Sequence, residues 1–587
     1  MATDERPWLK YYGKIPADIV VPDKTMYELL AETAGRVPDR TAVLFLGTRL
    51  SFPRLMREID QCAAALRAQG ITAGDSVLVS LPNIPNVVVL FYALNKIGAR
   101  AVMTHPLSSS DELKHFAVET NSRWAVGVDM FYDRLQPVLE VDGMQKLIIA
   151  HISDYLGAAM TVGFKLTKGR KIAPVPKDNP AVIPWSDFMK GAGESVPYVR
   201  PHDPAEGSVV LFSGGTTSLP KGIELSSHAF NALAASMIAI TNIAPGNSVL
   251  AIMPAFHGFG LGLCIHSTLT GGAASILVPE VGTTTYVEAL IKYKPSFIAG
   301  VPTLFQALLQ MDEFAKVDFS QLRGAYSGGD SLTPDLKHRF DAALKAQGSH
   351  VELEEGYGLT ECVTASVLSP TDHYRTGSVG VPIPGTLAKI VKPDTIDEVP
   401  YGTDGEICIQ GETLMNCYIN DAEATAATLR RHADGRVWLH SGDIGSMDAD
   451  GYLYFVGRIK RIIKVSGVSV YPAQVEQLLE AHPKVKTACV IGIPDDYQMS
   501  SVKAFIVPED GVKGDDALRD ELRAYAKEHL MKWSVPRHIE FRDSLPQTKV
   551  GKIAYTELEK EEAAKAAAAK AAAGNPAATG DETGAAA

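Results

Sequence analysis

Ser213-Gly214-Gly215-Thr216-Thr217-Ser218-Leu219-Pro220-Lys221-Gly222 follows directly on the apolar run 209–212. A buried strand that opens into a loop of glycines and hydroxyls exposes backbone N–H groups, which suit phosphate oxygens. Lys221 adds a cation at the exit of that loop. The spacing is not that of a Walker A loop, and no Ser or Thr follows the lysine. The residues alone therefore predict an α/β protein with a phosphate-binding loop.

The same strand-and-turn pattern extends in both directions. Apolar runs at 76–80, 124–128, 249–253 and 297–300 read as strands, and 52–68 and 335–346 read as amphipathic helices between them. With 587 residues the chain exceeds one ordinary core. No Asp, Glu, Lys or Arg occurs from Leu225 to Pro279, long enough to span a bilayer. Asn231, Asn242, Pro245, Asn247, Pro254 and His257 interrupt it, so buried core elements and a cytoplasmic protein are expected. The N-terminus carries charge and lacks the apolar core of a secretory signal. At 155–177 an uncharged apolar stretch precedes Lys165, Lys168, Arg170, Lys171 and Lys177. It reads as a surface helix, with peripheral contact to an anionic membrane as the alternative.

A net charge of −12 argues against general nucleic-acid binding, which needs a basic surface. Six scattered cysteines without a CxxC pair read as free thiols, and their spacing argues against a structural zinc site. A domain boundary is expected near 457–461, after a last strand at 451–456. A helix at 472–482 and a strand at 487–493 then belong to a smaller unit. From Glu557 the composition turns to Ala, Lys and Glu, then to Gly, Asn, Pro and Thr, which predicts a helix passing into a disordered tail.

Further motifs follow in order: Ser327-Gly328-Gly329-Asp330, Gly356-Tyr357-Gly358-Leu359-Thr360-Glu361, His440-Ser441-Gly442-Asp443, the segment 457–467, and Pro546-Gln547-Thr548-Lys549-Val550-Gly551-Lys552. Together with the loop at 213–222, which has Ser218 where glycine is customary, they resemble the signatures of adenylate-forming enzymes, the superfamily of acyl-CoA synthetases. The resemblance covers about Tyr27 to Tyr555.

That resemblance implies a large N-terminal domain of several α/β subdomains (1–457), a small mobile C-terminal α+β domain (458–556) and a tail (557–587). It implies ATP, Mg²⁺ and coenzyme A as cofactors. Ser213, Gly214, Gly215, Thr216, Thr217 and Lys221 would hold phosphate, and Gly329 and Tyr357 would line the adenine site. Asp443 would hold ribose, Arg458 ribose or phosphate, Glu361 the metal, and Thr360 the α-phosphate or acyl carboxylate. Lys552 would be catalytic, Lys460 the hinge, and Ser466 and Gly467 the coenzyme A tunnel. His257 would sit beside the acyl carboxylate or gate the acyl pocket, which would be built from 253–260 and 300–303. Those linings are apolar and glycine-rich, which suits an alkyl chain. A medium- to long-chain fatty acid–CoA ligase, closest in appearance to bacterial long-chain enzymes, is the expectation. Aryl or bile acids, a stand-alone enzyme loading a carrier protein, a luciferase-like oxygenase and a degenerate binding module are the alternatives; the oligomeric state is left open.

Overall fold

The computed structural model describes residues 6–172, 175–176, 178–192, 198–212, 220–280, 282–466, 468–495, 499–548 and 552–573. Their backbone packs as two compact units. The larger holds the described residues up to Ser441 together with Gly445–Phe455, and the smaller holds Gly442–Ile444 and the described residues from Val456 onward.

The larger unit is α/β, with one eight-stranded, one nine-stranded and one five-stranded sheet among the described residues. In the eight-stranded sheet, Ser76–Ser80 is buried along its whole length and pairs in parallel with both Arg100–Met103 and Ser122–Val128. Such a strand has no solvent face, which is why its sequence is apolar without alternation. Gly207–Phe212 continues the sheet in parallel, and Gly222–Ser226 pairs with it antiparallel. The loop singled out above therefore joins two hydrogen-bonded neighbours. Cys417–Tyr418, from far along the chain, adds the edge strand beside Gly222–Ser226.

In the nine-stranded sheet Phe297–Gly300, Gly324–Gly328 and Leu353–Tyr357 run parallel and adjacent, with Gly300 opposite Ser327 and Gly328 opposite Gly356. Three of the motifs thus leave the sheet at neighbouring carboxyl ends, the usual place for ligands in open α/β sheets. Helix Pro85–Ile97 is buried on every side; its run of Val and Leu carries no polar stripe because it meets no water. Thr25 and Glu28, and Ser109 and Glu112, form capping boxes that start helices Met26–Arg36 and Ser110–Glu119.

The uncharged stretch from 225 folds as helix Ser227–Thr241, strand Ser248–Ala251, a wide helix Phe259–Ser267 and strand Ala274–Leu277. The first of these strands stops at Ala251, two residues short of the expected end. Among the described residues no helix is long and apolar enough to cross a membrane. Helix Ala158–Leu166 leaves Met160, Val162 and Leu166 exposed.

The smaller unit packs helices Pro472–Glu480 and Asp516–His529 with a three-stranded sheet of Val485–Asp495, Met499–Pro508 and His538–Phe541. Its core is its own: Val475, Leu479, Val490, Ile506, Leu518 and Leu522 are buried together. The strand expected at 451–456 runs instead over Leu453–Arg458. The closing helix is Tyr555–Ala573, and the tail beyond it lies outside the described residues.

Candidate active site

At the adjacent carboxyl ends in the nine-stranded sheet, glycines keep the surface low. A methyl group at Gly328 would come 3.4 Å from the Gly356 carbonyl and 3.6 Å from the Phe259 ring. Gly329 sits at φ +84°, a conformation that glycine adopts without strain. Ser327 is buried, and its Oγ has no hydrogen-bond partner among the described residues. Beside it, Glu355 accepts from the Leu332 N–H at 3.0 Å, and burial pushes its carboxyl up to about 7. Tyr357 is half-buried, its ring 6.1 Å from that of Phe455.

Thr360 and Glu361 lie in a short turn that ends in strain. Val363 has φ +64° and ψ −58°, and the Thr364 N–H donates to the Cys362 carbonyl at 2.7 Å. This is the rarer, strained γ-turn, unusual for a β-branched residue. What holds it is packing against the acyl-pocket segment. A Cβ on Gly258 would stand 1.6 Å from the Val363 carbonyl oxygen, so only glycine lets the two backbones touch. Gly260 has the same constraint against the carbonyls of Met253 and Pro254, at 2.3 and 2.1 Å. The signature at 356–361 and the segment 253–260 are therefore one packed body. Within it His257 is half-buried, and its Nδ1 accepts from the Phe259 N–H at 3.2 Å, leaving the proton on Nε2.

The other half of the site hangs on the edge strand. Tyr418 donates its hydroxyl to Glu361 Oε1 at 2.8 Å. Lys221 stands 5.2 Å over the Tyr418 ring and pairs with Asp421 at 2.8 Å, which holds that carboxyl below the usual range. The pairing of Tyr418 with Ile223 sets this arrangement, because it places both side chains at one end of the sheet. Tyr418 and Asp421 were not among the residues singled out from sequence. Asp421 caps helix Ala422–Thr428, a local signal that explains the residue without pointing to Lys221.

Asp443 is 1% exposed and pairs with Arg458 Nε at 2.9 Å. In the smaller unit, Lys460 is exposed in the turn Ile459–Arg461. Next to it Arg461 is fixed by Glu476, at 2.5 Å, and by the Tyr555 ring. Ser466 is exposed at φ +50° where Ile463–Val465 turns back into Val468–Val470. Lys552 is half-buried; its N–H donates to Thr548 Oγ1 at 3.1 Å, and its carbonyl accepts from the Thr548 N–H at 2.6 Å. Ser213, Gly214, Gly215, Thr216, Thr217 and Gly467 lie outside the described residues.

Comparison with known proteins shows the family of the chain. The family model described as AMP-binding enzyme matches residues 30–419, and that of the AMP-binding enzyme C-terminal domain matches 474–552. The chain belongs to the AMP-binding enzyme family. It is 33% identical over 572 residues to a long-chain-fatty-acid–CoA ligase of Bacillus subtilis, covering 95% of this chain and 98% of that one. A probable 4-coumarate–CoA ligase of Dictyostelium discoideum is 27% identical over 561 residues, covering 92% and 96%. Among solved structures, an anthranilate CoA ligase bound to anthranoyl-AMP superposes with a TM-score of 0.80 at 23% identity, covering 95% of this chain and 99% of that one. ATP-bound MatB from Rhodopseudomonas palustris gives 0.78 at 23% identity, covering 92% and 99%. These last two show the shared fold.

This AMP-binding enzyme is an AMP-forming acid–CoA ligase that uses ATP, Mg²⁺ and coenzyme A. The donor chemistry at Glu361 fits the metal: it is a half-buried carboxylate, and hard cations take oxygen ligands. Bound there, Mg²⁺ would neutralise phosphate charge. Joining a carboxylate to the α-phosphate brings two anions together, so positive charge has to be placed around them. Lys221, paired with Asp421, is a described cation of this half of the site.

Proposed function

We propose that the acid is a medium- to long-chain fatty acid. The observation that carries this reading is the end-to-end identity with the long-chain ligase of Bacillus subtilis, at 33% over 95% of the chain. Met253, Phe256 and Leu263, partly buried against the core that holds Phe259, support it, because they offer apolar rings and alkyl groups. In this reading Thr360 and His257 orient the acyl carboxylate, Glu361 holds Mg²⁺, and Lys221 joins the loop at 213–217 on the phosphates. Gly329 and Tyr357 bound the adenine, and Asp443 and Arg458 take the ribose. Lys552 bridges the two anions during adenylate formation. Rotation of a mobile small domain about Lys460 then removes Lys552 and brings Ser466 and Gly467 to the thiol path. The carboxylate oxygen attacks the α-phosphorus, pyrophosphate leaves, and the thiol of coenzyme A later displaces AMP. No protein nucleophile takes part.

The test is a competition. Purified enzyme is given ATP, Mg²⁺, coenzyme A and an equimolar mixture of fatty, aryl, bile and amino acids, and the thioesters are identified by mass. Dominance of medium- or long-chain acyl-CoA is expected. Dominance of an aryl or bile thioester would overturn the substrate while leaving the ligase chemistry intact.

We also propose that helix Ala158–Leu166, with Met160, Val162 and Leu166 exposed and Arg170 exposed after it, rests on anionic headgroups. Flotation with anionic but not neutral vesicles is expected, and equal flotation of a Leu166→Asp variant would contradict it.

A further inference from the structure

One face of the five-stranded sheet carries a polar cluster that the ligase chemistry does not use. Strand Gly405–Gly411 presents Glu406 and Cys408 two residues apart, hence on one side. His440 stands on the neighbouring strand Val437–Met447, and His432 follows the next strand, Leu429–Arg431. The sequence separations from Cys408 to the histidines are long, which is why no ligand spacing was visible. All four side chains are buried: Glu406 and His432 are 5% exposed, His440 5%, and Cys408 not at all.

The ligand atoms of Cys408, His432 and His440 lie within 4.8 Å of one another. His432 Nε2 faces His440 Nε2 at 2.9 Å, and His440 Nδ1 donates to Glu406 Oε2 at 2.7 Å. That carboxylate fixes His440 as the Nδ1–H tautomer, so its Nε2 offers a lone pair toward the cluster.

We propose that Cys408, His432 and His440 form a buried site for a zinc-class divalent ion, with Glu406 as the carboxylate that orients His440. The ligand types suit it, since thiolate and imidazole together select borderline-soft metals over Mg²⁺. The carboxylate–histidine pairing is the outer support that such sites use. Tetrahedral bond lengths put ligand atoms about 3.3 to 3.6 Å apart, so the two imidazole nitrogens part by about 0.4 Å while Cys408 closes in by about 1 Å. Charge also balances. The ion and the Cys408 thiolate leave one positive charge, which Glu406 offsets, and nearby Lys389 is offset by Asp434 at 3.9 Å. On binding, Cys408 releases its proton to solvent, and His432 moves its proton from Nε2 to Nδ1. The ion would tie together three adjacent strands, one of which leads directly into Asp443.

The experiment uses the full chain, stripped with chelator and titrated with Co²⁺ and then Zn²⁺ alone, without substrates. The expected result is one Co²⁺ per chain with a thiolate-to-cobalt charge-transfer band, displaced by Zn²⁺, and a raised melting temperature. Cys408→Ser should abolish the band, and His432→Gln should weaken Co²⁺ binding at least tenfold, while Cys417→Ser keeps both. Circular dichroism of each apo variant checks that it is folded. No band in the wild type, or a band that survives Cys408→Ser, would overturn the site and leave a His432–His440 hydrogen bond in its place.

Discussion

At the residue scale, Tyr418 does for Glu361 what no motif announces. Its hydroxyl donates to a carboxylate, and a bond to a charged acceptor contributes about 1.5 kcal/mol. Tyr418→Phe should therefore raise the Mg²⁺ concentration for half-maximal activity and lower kcat/KM for MgATP roughly tenfold, with the melting temperature little changed. Unchanged Mg²⁺ dependence in initial-rate assays would remove Tyr418 from the metal's support. Lys221 and Glu361 were legible in the sequence because each stands inside a dense local signature. Tyr418 and Asp421 were not, because their partners lie 57 and 200 residues away and only strand pairing joins them.

His266 supplies a second prediction at this scale. It is wholly buried between the Tyr92 hydroxyl and Asn231 Oδ1, each at 3.0 Å, and burial lowers it from 6.5 to about 3. Above pH 6.5 both the folded and the unfolded histidine are neutral, and the fold keeps its full stability. As pH falls from 6.5 toward 3 the unfolded chain takes up a proton that the folded one refuses, so stability drops. Between pH 6.5 and 5 the loss from this one residue is about 2 kcal/mol. Urea unfolding at these two pH values should show a smaller acid loss in His266→Gln than in the wild type; parallel losses would contradict the assignment.

At the element scale, the site depends on two backbones in contact. Gly258→Ala places a methyl group 1.6 Å from the Val363 carbonyl, against a turn that is already strained. Because both partners are backbone, relief requires moving the segment 253–260 or the turn after Glu361. A stability loss of about 3 kcal/mol is expected, with a larger loss of activity than Gly35→Ala, which lies in helix Met26–Arg36 and would meet nothing within 4 Å. Melting and initial rates of the two variants check this, and equal behaviour would mean that the contact is dispensable.

Elements were read well where local chemistry settles them. Helix Phe52–Ala68 and strand Phe297–Gly300 have the limits expected from periodicity and flanking residues. The wide helix Phe259–Ser267 was not legible, since an all-apolar run with glycines fits strand and helix equally. It is tertiary packing of Gly258, Gly260 and Gly262 that decides it. The strand Leu453–Arg458 ran past its expected end because Arg458 reads as a loop charge until its pairing with Asp443 is seen.

At the scale of the whole molecule, two units with separate cores carry different parts of one proposed reaction. Val475, Leu479 and their neighbours make the smaller core independent of the sheets that bear Lys221 and Glu361. Such a division permits rotation of one unit without unfolding the other. The signatures at both ends of the chain were what made this organisation readable, since composition alone says only that several cores exist. Chain length of the acid was less readable, because it depends on pocket depth rather than on any motif.

The most direct measurement is pyrophosphate exchange into ATP, driven by a long-chain fatty acid and Mg²⁺ without coenzyme A, for the wild type and Lys552→Ala. The account predicts exchange in the wild type only when both acid and Mg²⁺ are present. Lys552→Ala should lose that exchange by at least a hundredfold yet still convert supplied acyl-adenylate and coenzyme A into thioester. Exchange that ignores the fatty acid, or a variant that loses both half-reactions equally, would contradict it.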